Sequence, residues 1–416
     1  MAVQKTDIYV YADWQDLESP ILMGVLSAHQ AKGRKAFSFS YDKLWLKSGH
    51  HHQLDPNLQL FAGPQFANDK ENFGLFLDSM PDTWGRTLMK RREAQLAKIK
   101  GEKAKTLYDI DFLLGVYDET RMGALRFKLD SNGDFLDNDT EKATPPWSTV
   151  RELQQAVVYY ENDTDNEAIN KWLQLLIAPG SSLGGARPKA NILDEHKHPW
   201  IAKFPSKNDT IDKASWEYLA YQLAIKAGIN MSECKIEKIN GPYHTFFTKR
   251  FDREGSNRIH FASAMTMTGN NEETIKNQHA SYLDIVEFIQ SNGANINENL
   301  AQLWRRIIFN IAISNTDDHL RNHGFILTKE GWVLSPAYDL NPSIDKDGLA
   351  LNIDMDNNDL DFELAKSVGE YFRLTTNQMD QIIDEVTTVV NKWKDIAKQI
   401  GISRAEQELM ASAFKY

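Results

Sequence analysis

Apolar and polar positions alternate along Phe37-Ser38-Phe39-Ser40-Tyr41, and Ile8-Tyr9-Val10-Tyr11 is a short run of strand formers. Both predict strands near the N-terminus. The pattern then turns helical over about 83–105, where Lys90, Arg91, Arg92, Lys98, Lys100, Lys103 and Lys105 read as a solvated face. Contact with a phosphate or an acidic partner is the alternative. Gly123-Ala124-Leu125-Arg126-Phe127 predicts a buried strand, closed by a turn at Asp130-Ser131-Asn132-Gly133. The polar stretch 137–144 runs into Pro145-Pro146, which continues neither helix nor strand. The first domain, residues 1–145, is expected to end there.

Beyond it, helices are expected at 148–160 and 166–176, then a glycine-rich run from Ser181 to Lys189 and two short strands, 190–193 and 200–204. Trp216, Leu219, Ala220, Leu223 and Ala224 recur at helical spacing and predict an amphipathic helix over 215–227. Strands follow near 235–239 and 244–251. From about 282 the chain reads as almost wholly helical, apart from a strand pair near 324–327 and 332–334. No internal repeat is visible. The order, a small α+β domain, a strand-rich piece and a helix-rich piece, gives an α+β fold class.

Composition narrows the picture. The 416 residues carry 47 basic and 58 acidic side chains, a net charge of −11. The length suggests two to four domains or lobes, and 42% apolar with 25% charged residues is ordinary globular usage. The acidic balance argues against gripping nucleic acid over a broad basic face. A single cysteine, Cys234, excludes an internal disulfide framework and any CxxC site. No apolar run approaches the ~20 residues of a membrane span, and the start lacks a signal-peptide core. A cytoplasmic protein of enzyme size, with no membrane partner, is expected.

Three groups of residues carry candidate chemistry. In Ser181-Ser182-Leu183-Gly184-Gly185-Ala186-Arg187-Pro188-Lys189, glycines let backbone N–H groups approach an anion, and Arg187 and Lys189 add positive charge. It is neither a Walker A loop nor a dinucleotide fingerprint; an ordinary turn is the bland alternative. In Asn315-Thr316-Asp317-Asp318-His319-Leu320-Arg321-Asn322, Asp317 and Asn322 are separated as are the base and the metal-binding asparagine of a protein-kinase catalytic loop. A second aspartate, Asp339, follows the strand pair in Ser335-Pro336-Ala337-Tyr338-Asp339-Leu340. Phosphoryl transfer needs a carboxylate for the acceptor hydroxyl and hard oxygens for Mg²⁺. Lys203, at a strand end, suits a lysine that pairs the α/β-phosphates, and Glu217 is the candidate carboxylate for it. His319 and His323 suggest zinc but lack a third ligand at a familiar spacing, so His319 is expected to orient the loop. His50-His51-His52 lacks any metal-binding frame.

With these motifs in hand, the chain resembles the HipA family of bacterial serine/threonine kinases, the toxins of toxin–antitoxin modules. Further motifs carry the likeness: Leu77-Asp78-Ser79-Met80-Pro81-Asp82-Thr83-Trp84-Gly85-Arg86, Gly123-Ala124-Leu125-Arg126-Phe127, Ala202-Lys203-Phe204-Pro205 and Lys249-Arg250-Phe251-Asp252-Arg253. The resemblance implies a protein-kinase-like two-lobed fold with a small N-terminal α+β subdomain (1–145) and a kinase core (146–416). That core divides into a glycine loop, strands and hinge to about 255, then a helical catalytic lobe. It implies Asp317 as the catalytic aspartate, Asn322 and Asp339 as magnesium ligands, and Lys203 on the ATP phosphates. Gly184, Gly185, Ala186, Arg187, Pro188 and Lys189 would form the phosphate loop. Lys249, Arg250 and Phe251 would form the adenine hinge, with Asp252 near the ribose. His319, Leu320, Arg321 and Tyr338 would complete the ATP-binding set.

Ser182 matches the serine that some members autophosphorylate, with Ser181 its neighbour. In those members the modified loop is ejected and ATP binding is lost. The loop reads Gly-Gly-Ala-Arg-Pro-Lys rather than the Ala-Gly-Ala-Gln-Glu-Lys of the best-known branch. Family members pair with a HipB-like helix-turn-helix antitoxin that binds operator DNA, so contact with DNA is expected only through the antitoxin. Aminoacyl-tRNA synthetases are protein substrates of some members. ATP and Mg²⁺ are the expected cofactors. A catalytically weak, kinase-shaped co-repressor is the alternative from another class, and a zinc hydrolase ranks last.

Overall fold

The computed structural model describes residues 4–31, 34–50, 52–67, 72–139, 144–162, 176, 185–271, 275 and 280–416. The chain divides into two compact units. The first comprises residues 1–208 and 252–262, and the second 209–251 and 263–416.

The first unit is built on an antiparallel sheet. Strands β1 (Gln4–Ala12), β2 (Ile21–Ala31), β3 (Arg34–Tyr41), β4 (Gln65–Phe66) and β5 (Leu125–Lys128) lie in the order β4-β3-β2-β1-β5. The register pairs Ile8 with Leu26, Leu26 with Phe39 and Val10 with Phe127, so one face stacks apolar residues across four strands. Ile8, Val10, Phe39 and Phe127 are wholly buried, and Phe76 from the short helix α1 (Gly74–Leu77) packs on that face. Gly24 is required where β2 meets β3: a Cβ there would lie 2.3 Å from the Ser40 carbonyl oxygen. The connection behind this sheet is organised by Arg121. Its wholly buried guanidinium donates to the carbonyls of Ser79, Leu113, Val116 and Leu136 at 2.9–3.1 Å. Burial lowers its pKa to about 10.

Helix α2 (Thr83–Lys100) is capped by Asp82 and stops at Gly101, whose φ of 67° suits glycine. The expected helix therefore ends five residues early. Helices α3 (Asp109–Leu114) and α4 (Val150–Glu161) follow, then the hairpin β6 (Lys189–Leu193) and β7 (Pro199–Lys203), which pairs Lys189 with Lys203. The helix expected near 166–176 lies outside the described residues apart from Leu176, which is buried. Residues 252–262 complete the unit: Arg258 pairs with Asp118 at 3.2 Å, and Arg126 joins Asp118 and Asp13.

In the second unit, helix α5 (Lys213–Lys226) starts at the Asp212 cap, and β8 (Cys234–Glu237) pairs with β9 (Thr245–Lys249). Helices α6 (Ala264–Met267), α7 (Tyr282–Asn292) and α8 (Ile296–Ala312) lead to the hairpin β10 (Gly324–Thr328) and β11 (Gly331–Leu334). Four helices close the chain: α9 (Phe362–Ser367), α10 (Thr376–Val390), α11 (Trp393–Ile400) and α12 (Arg404–Leu409). Helix α8 is the central one, with Leu300, Leu303, Trp304, Ile307 and Ile308 wholly buried. The expectation of nearly continuous helix after 282 fails between β11 and α9. Residues 335–361 contain no helix, because Pro336, Pro342, Gly348 and a density of Asn and Asp favour local turns over helix. Among the described residues, no helix is long and apolar enough to cross a membrane.

Candidate functional site

The segment after α8 turns sharply at Ser314, whose φ is 50°, and enters the Asn315–Asn322 loop. Its burial is selective. Asn315, Thr316 and Asp318 are 1–2% exposed, whereas Asp317 between them is exposed. The main chain is tied back on itself: His319 N–H donates to the Asp317 carbonyl at 3.0 Å, and Asn322 N–H donates to the His319 carbonyl at 2.7 Å. Asn322 Nδ2 also donates to the Asp317 carbonyl, at 2.9 Å. That bond fixes the amide, so Oδ1 is the end left to meet a cation. Asp339 lies at the end of the next segment with φ 59° and accepts from Asn341 Nδ2 at 3.3 Å. An amide oxygen and a carboxylate are the hard donors that Mg²⁺ takes, with water and phosphate completing its shell.

Tyr338 links these segments. Its hydroxyl donates to the Arg321 carbonyl at 2.7 Å, and its ring lies 5.8 Å from that of Phe251. The loop with Asp317, the turn with Asp339 and the end of the expected hinge are thus neighbours within one unit, although 88 residues separate Phe251 from Asp339 in sequence. In the hinge itself, Lys249 N–H is committed to the Glu233 carbonyl at 2.8 Å and Arg250 is buried.

Beneath the loop lies a polar network that sequence reasoning missed. Asp318 Oδ2 accepts from the Tyr282 hydroxyl and, at 2.6 Å, from Asn310 Nδ2; His323 Nε2 lies 2.8 Å from Oδ1. All four residues are at most 2% exposed. Burial, and then the Asp318 carboxylate, push the Tyr282 phenol well above its usual 10, so it stays a donor. Burial also lowers Arg306, which donates to the Ser335 carbonyl, to about 10, with Asp318 opposing the shift. His319 is expected to orient the loop. Its main chain makes the bonds, while Nδ1 of its ring is buried with no partner among the described residues. The imidazole beside the buried carboxylate is that of His323. Among the described residues, no group of three His, Cys, Asp or Glu is placed to hold a metal.

In the first unit, Gly185 has φ 82°, a left-handed conformation that favours glycine, and a Cβ there would lie 2.8 Å from Lys189 Nζ. Ala186 is exposed, Arg187 half-buried, and Pro188 and Lys189 buried. Lys203 ends β7 and is half-buried. Phe204 N–H, just after it, donates to the Pro188 carbonyl at 2.9 Å. Ser181, Ser182, Leu183 and Gly184 lie outside the described residues, as does His51. Asp252, expected near a ribose, is wholly buried: its Oδ2 accepts from Gly123 N–H at 2.8 Å and Arg253 Nη1 at 2.7 Å. These bonds hold the carboxylate within the first unit. Leu320 is likewise a core residue, 0% exposed. Glu217 is buried on α5 of the second unit.

A family model described as the HipA-like C-terminal domain matches residues 181–393, just over half of the chain. The chain belongs to the HipA family. A Haemophilus influenzae protein carrying a provisional kinase name is 26% identical over 179 residues, 38% of this HipA-family chain and 52% of that protein. The chain therefore spans about half the length of the curated relative it matches. Among solved structures, the Shewanella oneidensis toxin–antitoxin complex of HipA, HipB and operator DNA gives a TM-score of 0.68 at 17% identity, covering 98% of this chain and 94% of that one. The likeness is one of fold: mixed α+β, sheet-rich at the N-terminus and helix-rich at the C-terminus, as in HipA. A Helicobacter pylori proinflammatory kinase, CtkA, gives 0.42 at 13% identity over 54% of this chain and 88% of its own, too low to carry an argument.

Proposed function

We propose that this HipA-family chain is an ATP- and Mg²⁺-dependent serine/threonine protein kinase acting as a growth-inhibiting toxin. The observation that carries the reading is the exposed Asp317, held by Asn322 and joined through Arg321 and Tyr338 to Asp339 and Phe251. In this reading Asp317 accepts the proton of the acceptor hydroxyl. Lys203 and the loop of Gly184 to Lys189 hold the nucleotide phosphates. Main-chain groups around Phe251 meet the adenine, since the Lys249 N–H is already used. Asn322 and Asp339 would hold magnesium, which when bound neutralises charge on the transferring phosphoryl group. The division into 1–145 and a kinase core 146–416, and autophosphorylation at Ser182, belong to the same proposal.

A partner follows from the Shewanella complex, whose HipA is found with HipB and operator DNA. We assign this chain an analogous helix-turn-helix antitoxin and a protein substrate of the translation apparatus. Intact Asp317, Asn322, Asp339 and Lys203 weigh against a catalytically weak co-repressor. The test is incubation with γ-labelled ATP and Mg²⁺. Label is expected on the wild-type protein. Asp317→Asn is expected to bind ATP as the wild type does while transfer falls about 10²- to 10⁴-fold. Unlabelled wild-type protein, or full transfer by Asp317→Asn, overturns the assignment.

A further inference from the structure

The N-terminal motif around Asp82 and Trp84 has no role in the chemistry proposed above, yet it is bonded to the glycine-rich segment at three points. Asp82 Oδ2 accepts from Gly185 N–H at 2.8 Å. Trp84 N–H donates to the Gly185 carbonyl at 3.1 Å. The Trp84 indole Nε1 donates to the Lys189 carbonyl at 2.9 Å. Both backbone groups of Gly185 are therefore taken by one turn of α2, and the far end of the segment by its tryptophan.

Each bond has a local reason. The first N–H groups of a helix lack partners within it, and the Gly185 carbonyl supplies one for Trp84. Asp82 caps the helix with Oδ1, which accepts from Thr83 N–H at 2.7 Å, so its other oxygen is available to the loop. Trp84 is 4% exposed and held edge-on to Tyr160, with ring centroids 5.2 Å apart, and Arg91 stacks on that tyrosine at 4.5 Å. The anchor is packed on both sides, and Gly185, free as a glycine to take many conformations, is the residue it holds.

We propose that Asp82 and Trp84 are positioning residues for the nucleotide: they hold the Gly185–Lys189 segment in the shape that receives the phosphates. This rests on the kinase reading. A carboxylate on a loop N–H also stands where a phosphate oxygen would bind, which gives the competing effect the opposite sign. The experiment must separate the two.

Asp82→Asn does so. Asparagine caps a helix as well as aspartate; with its Oδ1 kept on Thr83 N–H, an NH2 donor faces Gly185 N–H in place of the acceptor Oδ2. Helix α2 is kept and the loop bond is lost. The expected result is a KM for ATP raised about tenfold, kcat within about twofold, and an unchanged melting temperature. Faster amide exchange is expected at Gly185 in the nucleotide-free protein. Trp84→Phe, which keeps a ring against Tyr160 and loses the indole donor, is expected to raise KM several-fold. Lys90→Gly, an exposed change that weakens α2 without touching the loop, is expected to leave KM unchanged. Unchanged or lowered KM in Asp82→Asn overturns the proposal, the lowered value marking Asp82 as a competitor of phosphate. Calorimetric titration of wild type and Lys203→Ala with ATP identifies the other failure. A wild type that binds no nucleotide sinks the kinase reading and the nucleotide role with it, while unchanged exchange at Gly185 in Asp82→Asn sinks the clamp alone.

Discussion

Asp317 and Asp318 are adjacent carboxylates with opposite fates, one exposed and the other enclosed by Tyr282, Asn310 and His323. Removing the enclosed one takes the acceptor from the Tyr282 hydroxyl and the carboxylate from His323, leaving Asn310 Nδ2 only the Tyr282 oxygen at 3.2 Å. Asp318→Ala is expected to cost about 3–5 kcal/mol in urea unfolding, whereas Tyr282→Phe, which leaves the carboxylate other donors, is expected to cost about 1 kcal/mol. A second expectation concerns His260, which is buried against Trp14 in the first unit. Burial, with His52 adding to it, lowers its pKa from 6.5 to about 3. Above pH 6.5 it is neutral in both folded and unfolded chains and contributes nothing. Between 6.5 and 3 only the unfolded chain takes up the proton, so stability falls with pH by up to about 1.4 kcal/mol per unit. Unfolding measured from pH 7 to 4 should show that slope, and His260→Phe should flatten it. The Asp317 and Asn322 spacing was legible because it lies within six residues. The Asp318 network was not, since Tyr282, Asn310 and His323 approach Asp318 only once α7 and α8 are packed.

Among elements, α8 has the greatest leverage on the second unit, because the loop with Asp317 leaves from its end. Trp304 is wholly buried there and donates from Nε1 to the Ala365 carbonyl at 3.2 Å. Trp304→Ala is expected to cost about 3–5 kcal/mol, read as a lowered melting temperature with loss of any activity at 37 °C. The sequence predicted α2, α4, α5 and the three later strand pairs, β6–β7, β8–β9 and β10–β11, from local apolar patterning. It did not reveal β2, whose Ile-Leu-Met-Gly-Val-Leu-Ser-Ala run has no clean alternation. Nor was 335–361 read as irregular, although Pro336, Pro342 and Gly348 mark turns there; buried Leu340, Leu349, Leu351 and Ile353 give the segment the apolar content of a helix. Asp82 and Trp84 stood out as part of a motif, but their bonds to Gly185 span about a hundred residues and carry no local signal.

The whole molecule carries a net charge of −11, and the lysines and arginines of α2 do not offset it. A net negative charge gives the chain little electrostatic drive onto DNA by itself. The isolated chain is expected to bind operator DNA weakly at physiological salt, and the proposed helix-turn-helix antitoxin would supply the groove contacts. A gel-shift showing nanomolar binding by the chain alone would contradict this.

The excursion of residues 252–262 into the first unit bears on how the protein is made. Asp118 needs Arg258, and Gly123 needs Asp252, yet a ribosome delivers these partners only after α5, β8 and β9 have emerged. The first unit cannot finish folding when its own N-terminal 208 residues are complete. Its charged centre waits for a segment synthesised more than 40 residues later, so the two units mature together rather than in succession. A nascent chain cut short before Arg258 holds Asp118 through Arg126 alone, with one of its two arginine partners missing.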